Sequence, residues 1–181
     1  MTVLVGYASR HGATAGIAER IATGLEAAGV EADALAVEDV DDVGRYDAFV
    51  IGGAAYMFHW LKEATKFVKR HHSVLAERPV WLFSSGPLGT DRVDKQGRDV
   101  LETTRPKEFD ELEALVRPRG VRVFFGAWDP EAPPVGMVER TMRHMPASKD
   151  ALPAGDFRDW PAIDAWAAEI ATELTAEPAG P

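Results

Sequence analysis

Apolar and polar positions change period along the chain, and each change marks an element. Thr2 to Gly6 is a continuous apolar run, the pattern of a strand covered on both faces. From Ala13 to Ala28 the apolar positions Ile17, Ile21, Leu25 and Ala28 recur at helical spacing, predicting a helix with one buried stripe that Gly29 stops. Ala32 to Val37 reads as a shorter second strand, followed by an acidic link. Asp47 to Gly52 is a third strand that runs into a turn of small and aromatic residues, Gly53 to His59. Trp60 to Leu75 reads as a helix with Leu61, Ala64, Thr65, Val68 and Leu75 on one face. Pro79 to Ser84 is a fourth strand, and another small-residue turn, Ser85 to Thr90, follows it. The polar stretch to Arg105 predicts a surface loop with at most one short helix. Lys107 to Val116 is helical with Phe109, Leu112, Leu115 and Val116 inward, and Val121 to Gly126 is a fifth strand.

The end of the chain is less regular. Asp129 to Pro134 reads as loop. Met137 to Met145 forms an amphipathic pattern, either ordinary packing or an adaptable Met-rich cover. Asp159 has the look of an N-cap with Pro161 in the first turn. The helix after it buries Ile163, Ala167, Ile170 and Leu174, with Trp160 and Trp166 flanking. We expect one domain over residues 1–175 and a flexible tail over 176–181. Five strands alternating with helices predict an α/β fold, an open parallel sheet wound on both sides by right-handed crossovers. In such sheets ligands bind beyond the carboxyl ends of the strands.

Composition narrows the chemistry. The 181 residues are 46% hydrophobic, enough for one globular core. Net charge is -9, which argues against nucleic acid as a partner. Acid gathers early, at Glu26, Glu31, Asp33, Glu38, Asp39, Asp41, Asp42 and Asp47 against Arg45 alone. That run is either a solvated rim or a docking face for a basic redox partner. With no cysteine, disulfides, thiolate metal sites and cysteine nucleophiles are excluded. No stretch reaches membrane-span length, and a cytoplasmic location is the expectation.

The stretch Tyr7 to Thr14 carries the first functional signal. It lies between a strand and a helix start, where unpaired N–H groups and the positive end of the helix dipole favour an anion. Ser9 and Thr14 add hydroxyls, and Gly12 permits close approach. An ordinary βα turn with a capping hydroxyl has the same local signature. The P-loop, the dinucleotide fingerprint and the nucleophile elbow are all absent from the sequence. The acids of a receiver domain are missing as well, since the first and third strands end in Gly6-Tyr7 and Gly52-Gly53. What is left is a phosphate turn flanked by aromatic, weakly charged turns, which suits a planar apolar ring bearing a phosphate.

Ser9-Arg10-His11-Gly12-Ala13-Thr14 resembles the flavodoxin phosphate loop. Val50 to Tyr56, then Phe67 to His71, and Asp159-Trp160 ahead of Ala168 to Ala171 resemble the flavodoxin-like, menaquinone-dependent protoporphyrinogen dehydrogenases. The likeness covers most of residues 1–172 and is weak between Asp91 and Gly120. It implies a flavodoxin-like fold with strand order 2-1-3-4-5, which sets the turns after strands one, three and four side by side. It also implies FMN as cofactor. Ser9, Arg10, His11, Gly12, Ala13 and Thr14 would hold the phosphate. Ala54, Ala55, Tyr56, Met57, Phe58 and His59 would flank the isoalloxazine with Ser85, Gly86, Pro87, Leu88 and Gly89.

Some positions depart from the family pattern. His11 replaces a hydroxyl, although imidazole can donate to phosphate. The third turn lacks the usual acid and tyrosine, so stacking falls to Tyr56, Phe58 or Trp60. Three functions follow as expectations. One is an oxidoreductase acting on a porphyrinogen-type molecule with a quinone acceptor. Another is a one-electron carrier docking a redox protein, and the third is a flavin-free interaction module. The loop from Thr90 to Arg105 lacks a basic run for quinone-membrane docking, which counts against the first. No catalytic residue and no metal site is assigned. His59 is either a proton relay or a surface helix-start residue. Arg10 has two uses, phosphate or an acidic substrate. His71 and His72 read as partners of a helix C-terminus rather than metal ligands.

Overall fold

In the computed structural model, which describes residues 1–133 and 153–176, every long apolar run becomes a strand. The strands are β1 (Thr2–Ala8), β2 (Glu31–Ala36), β3 (Ala48–Tyr56), β4 (His59–Trp60), β5 (Val80–Ser85), β6 (Gly120–Phe124), β7 (Ala127–Trp128) and β8 (Gly155–Asp156). The helices are α1 (Ala13–Ala27), α2 (Lys62–Arg70), α3 (His72–Ala76), α4 (Val100–Thr103), α5 (Phe109–Val116) and α6 (Trp160–Ala176). The main sheet has the order β2-β1-β3-β5-β6, all parallel, with β4 antiparallel on β3. This is the expected doubly wound flavodoxin-like order.

Alternation inside the strands builds two cores. Val3 and Val5 face α1 and α6, meeting Ile17, Ile21, Leu25, Ile163 and Ile170. Leu4, Phe49 and Ile51 face the other side, with Ala64, Val68, Leu75 and Leu112. Each aliphatic side chain so buried contributes on the order of 1.5–3 kcal/mol. Trp166 belongs to the first core, 4% exposed and edge-on to Phe83 and Phe124, and does not flank the helix as its position suggested. Asp159 caps α6 as expected, its Oδ1 accepting the Ala162 N–H at 3.1 Å.

The expected helix from Trp60 to Leu75 is three elements. β3 continues to Tyr56, and the chain reverses through Met57 and Phe58 at φ 51° and 65°. His59 and Trp60 then pair back on Tyr56 and Ala55. The helix begins only at Lys62 and breaks at His71, whose ring packs on Phe67 with centroids 4.8 Å apart. His72 Nδ1 lies 2.9 Å from the Lys69 carbonyl, so it does serve the end of α2. β6 stops at Phe124 because the next residues leave the sheet to bind the turn after β5: Gly126 N–H donates to the Pro87 carbonyl at 2.9 Å. The α4 turn is the one short helix expected before Arg105. α6 runs through Ala176, one residue into the segment expected as tail. The expected helix from Met137 to Met145 and residues 177–181 lie outside the described residues. Among the described residues no helix is long and apolar enough to cross a membrane.

Gly52 marks the tightest packing in the sheet. A Cβ there would lie 1.9 Å from a Phe83 ring carbon. Gly52→Ala must displace a fully buried aromatic ring, so it should cost about 1–3 kcal/mol or more by overpacking. Urea unfolding measures this as a lowered midpoint at unchanged slope.

Candidate functional site

Parallel order brings the turns after β1, β3 and β5 to one rim, and each pair of turns is tied by a different contact. The first turn is built around Gly12, which sits at φ 81° with open space where a side chain would be. Ser9 Oγ accepts the Gly12 N–H at 3.1 Å, and Gly16 N–H to the Gly12 carbonyl, 2.9 Å, marks the opening of α1. No side chain caps this helix and no acid lies in its first turn. The positive end of a 15-residue helix therefore faces the rim without an acid in its own first turn.

Thr14 links the first turn to the third. Its Oγ1 is 2.7 Å from Ser85 Oγ, and the two residues are 0% and 2% exposed. Their hydroxyls are turned toward each other inside the protein. Arg10 links the first turn to the second, its guanidinium carbon 5.1 Å from the centre of the Tyr56 ring. The second and third turns meet through the sheet itself, Ala54 pairing with Ser85. The third turn is pinned from outside, Gly86 N–H donating to the Phe124 carbonyl at 3.3 Å in addition to the Pro87 bond.

The second turn is a hairpin with an apolar tip. Tyr56, Met57 and Phe58 are 37%, 83% and 49% exposed. Two left-handed residues in a row are the signature of a two-residue hairpin connection, which ordinarily uses Asn and Gly. Here bulky side chains occupy both positions, at a cost on the order of 1–2 kcal/mol each. The tip is held by the segment entering α5. Lys107 N–H donates to the Phe58 carbonyl at 3.0 Å. The Glu108 carboxylate accepts the Trp60 N–H at 2.9 Å and meets His59 Nδ1 at 2.8 Å. Burial pushes the Glu108 carboxyl up, but the Trp60 N–H and the His59 ring together pull it further down, leaving it below the usual carboxylate range.

Trp60 is no ring-stacking candidate. It is 2% exposed, donates Nε1–H to the Gly53 and Phe83 carbonyls, and packs edge-on against Phe109. Tyr56 and Phe58 are left at the surface. His11 packs edge-on to Trp128 with centroids 5.8 Å apart. A cavity of about 600 Å³ opens beside this pair, lined by His11, Gly12, Trp128, Asp156 and Arg158 among others. Arg158 is engaged there: it holds Asp156 with two bonds, donates to the Ala13 carbonyl at 3.2 Å and lies over Trp160. Glu108, Trp128 and Arg158 carried no signal in the sequence, because each reaches the rim from a distant segment. Among the described residues no cluster of metal-ligating side chains exists.

The family model for the flavodoxin domain matches residues 4–151. No protein of curated function matches. Among solved structures, an archaeal flavodoxin is similar over 97% of this chain and 99% of its own, at 18% identity and a TM-score of 0.58. A cysteine-to-serine mutant of flavodoxin from Pseudomonas aeruginosa is similar over 97% of this chain and 100% of its own, at 17% identity and a TM-score of 0.60. Rubredoxin:oxygen oxidoreductase from Desulfovibrio gigas covers 97% of this chain, which spans only 36% of that protein, at 11% identity and a TM-score of 0.61.

The Thr14–Ser85 link is testable by paired substitution. Thr14→Val leaves the Ser85 hydroxyl buried without its partner, and should cost about 1–3 kcal/mol. Adding Ser85→Ala removes the orphan, so the double variant should recover part of that loss. Urea unfolding of the two single variants and the double variant gives the coupling.

Proposed function

The chain belongs to the flavodoxin domain family, and on that basis we propose that it binds FMN at the strand-end rim and acts as a redox protein. The observation that supports this reading best is the pairwise tying of the three turns around an uncapped helix end. The residues suit the group. The first turn offers backbone N–H groups, the Arg10 guanidinium and no carboxylate, which is a donor set for phosphate. The exposed Tyr56 and Phe58 rings give apolar area for a planar ring.

FMN, when bound, supplies the electron chemistry. The chain's own residues bind and orient. The turn from Ser9 to Thr14 fixes the phosphate end, and the Thr14–Ser85 bond keeps that turn in register with the turn from Ser85 to Gly89. The hairpin from Ala54 to His59 would lie against the ring, and its position is set by Lys107 and Glu108.

Within this reading, we favour dehydrogenation of a porphyrinogen-type organic molecule with a quinone as acceptor. The exposed apolar tip supports an apolar substrate beside the ring, and an imidazole held by a carboxylate at its base supports chemistry that moves protons. One-electron carriage is the second reading. It is supported by the flavodoxins that this chain matches over nearly their whole length. Turnover of protoporphyrinogen with a quinone acceptor supports the first, and its absence in flavin-loaded protein supports the second.

Flavin fluorescence titration tests the binding itself. FMN should bind stoichiometrically. Ser9→Asp keeps an oxygen to accept the Gly12 N–H but adds a negative charge at the phosphate turn. FMN affinity should fall at least about tenfold in this variant, the equivalent of about 1.4 kcal/mol. Riboflavin, which lacks the phosphate, should bind the two proteins alike. Wild-type protein that takes up no FMN rules the reading out.

A further inference from the structure

One carboxylate grips two successive residues of β4 from far along the chain. Glu108 Oε1 lies 2.8 Å from His59 Nδ1, and Glu108 Oε2 accepts the Trp60 N–H. The Glu108 side chain is 22% exposed and that of His59 is 59% exposed, so the carboxylate lies inside and the imidazole outside. Held below the usual carboxylate range, Glu108 is ionised at neutral pH and can only accept. It therefore selects the His59 tautomer with the proton on Nδ1. Nε2 is left as the lone-pair nitrogen, with no protein partner among the described residues.

We infer that His59, positioned by Glu108, takes up the proton that accompanies electron arrival at the rim. This rests on the FMN reading above. Tyr56 pairs across from His59 and stacks under Arg10, so the dyad and the phosphate turn belong to one connected surface. Electrons added to a ring on that surface add negative charge and favour protonation of an imidazole nearby. A substrate losing two hydrogens would give one, with its electron pair, to bound FMN as hydride and the other as a proton. The proton goes to Nε2, and the imidazolium is neutralised by Glu108. A quinone that takes two electrons and two protons clears both.

The elements around the hairpin also carry Lys107, Asp110, Glu111 and Glu113 at α5, Lys62, Glu63, Lys66, Lys69 and Arg70 on α2, and Arg10 across Tyr56. Arg105 is bound to Asp110 and Glu113. None of these residue types titrates between about pH 5 and 8, as histidine does. The other imidazole of the phosphate turn, His11, packs edge-on against Trp128.

Two measurements test the assignment. In FMN-loaded protein, the midpoint potential plotted across the range in which histidines ordinarily exchange protons, about pH 5 to 8, should show a bend that depends on the His59 side chain. His59→Gln, loaded with FMN at saturating concentration, should remove the bend. Glu108→Gln should move it to lower pH, because the imidazolium loses its counter-charge. A bend that persists unchanged in His59→Gln overturns the proposal. The second measurement needs no flavin. Nitrogen-15 NMR of the wild-type His59 ring should show the Nδ1–H tautomer, and Glu108→Ala should return it to the Nε2–H form that free imidazole prefers. A wild-type ring without the Nδ1–H form overturns the dyad. Failure to bind FMN overturns the functional reading and the proton role with it, while the NMR result judges the dyad separately.

Discussion

Parallel strands can be joined only by crossovers that carry the chain back to the starting end, and in this protein that rule decides where chemistry can occur. α1 and α6 cover one face of the sheet, and α2, α3 and α5 cover the other. Because β1, β3 and β5 are adjacent, their three outgoing turns have nowhere to go but toward one another. Thr14–Ser85, Arg10–Tyr56 and Ala54–Ser85 are the local forms that this convergence takes.

The fold was legible because its signals are local. The apolar runs of β1, β3 and β5, the stripe of α1 and the Asp159 cap can each be read within a few residues. The candidate site was legible only where it is local too. Ser9 to Thr14 announces an anion turn by its own composition, although the sequence does not tell that the Thr14 hydroxyl is turned inward to Ser85, 71 positions away. The hairpin was missed because Met57 and Phe58 carry none of the residue chemistry that marks a tight turn. Trp60 was misread for a related reason. An aromatic next to a turn looks available until two main-chain carbonyls are found receiving its indole N–H. Glu108 sits at a helix start, where an acid is commonplace, and its grip on β4 is set by tertiary packing alone.

Charge is distributed against the grain of the net value. Much of the early acidic run serves structure at the β2 edge. Asp33 binds Arg45 and the Tyr46 hydroxyl, Asp42 caps the short turn at Val43–Arg45, and Asp47 accepts the Thr2 N–H. Burial first, and then Asp33, pushes the Tyr46 phenol up, which keeps it a neutral donor. The first turn meanwhile presents Arg10 and His11 and a helix end without acid. A protein of net charge -9 thus keeps one anion-tolerant position on its rim.

The bulky left-handed pair at Met57 and Phe58 also sets a limit on how this chain can be improved. Asn and Gly at those two positions would relax the backbone and give a more robust protein. The same exchange would strip the two most exposed apolar side chains from the hairpin. Robustness and contact surface compete for the same two residues, so selection for heat resistance alone would erode the hairpin first.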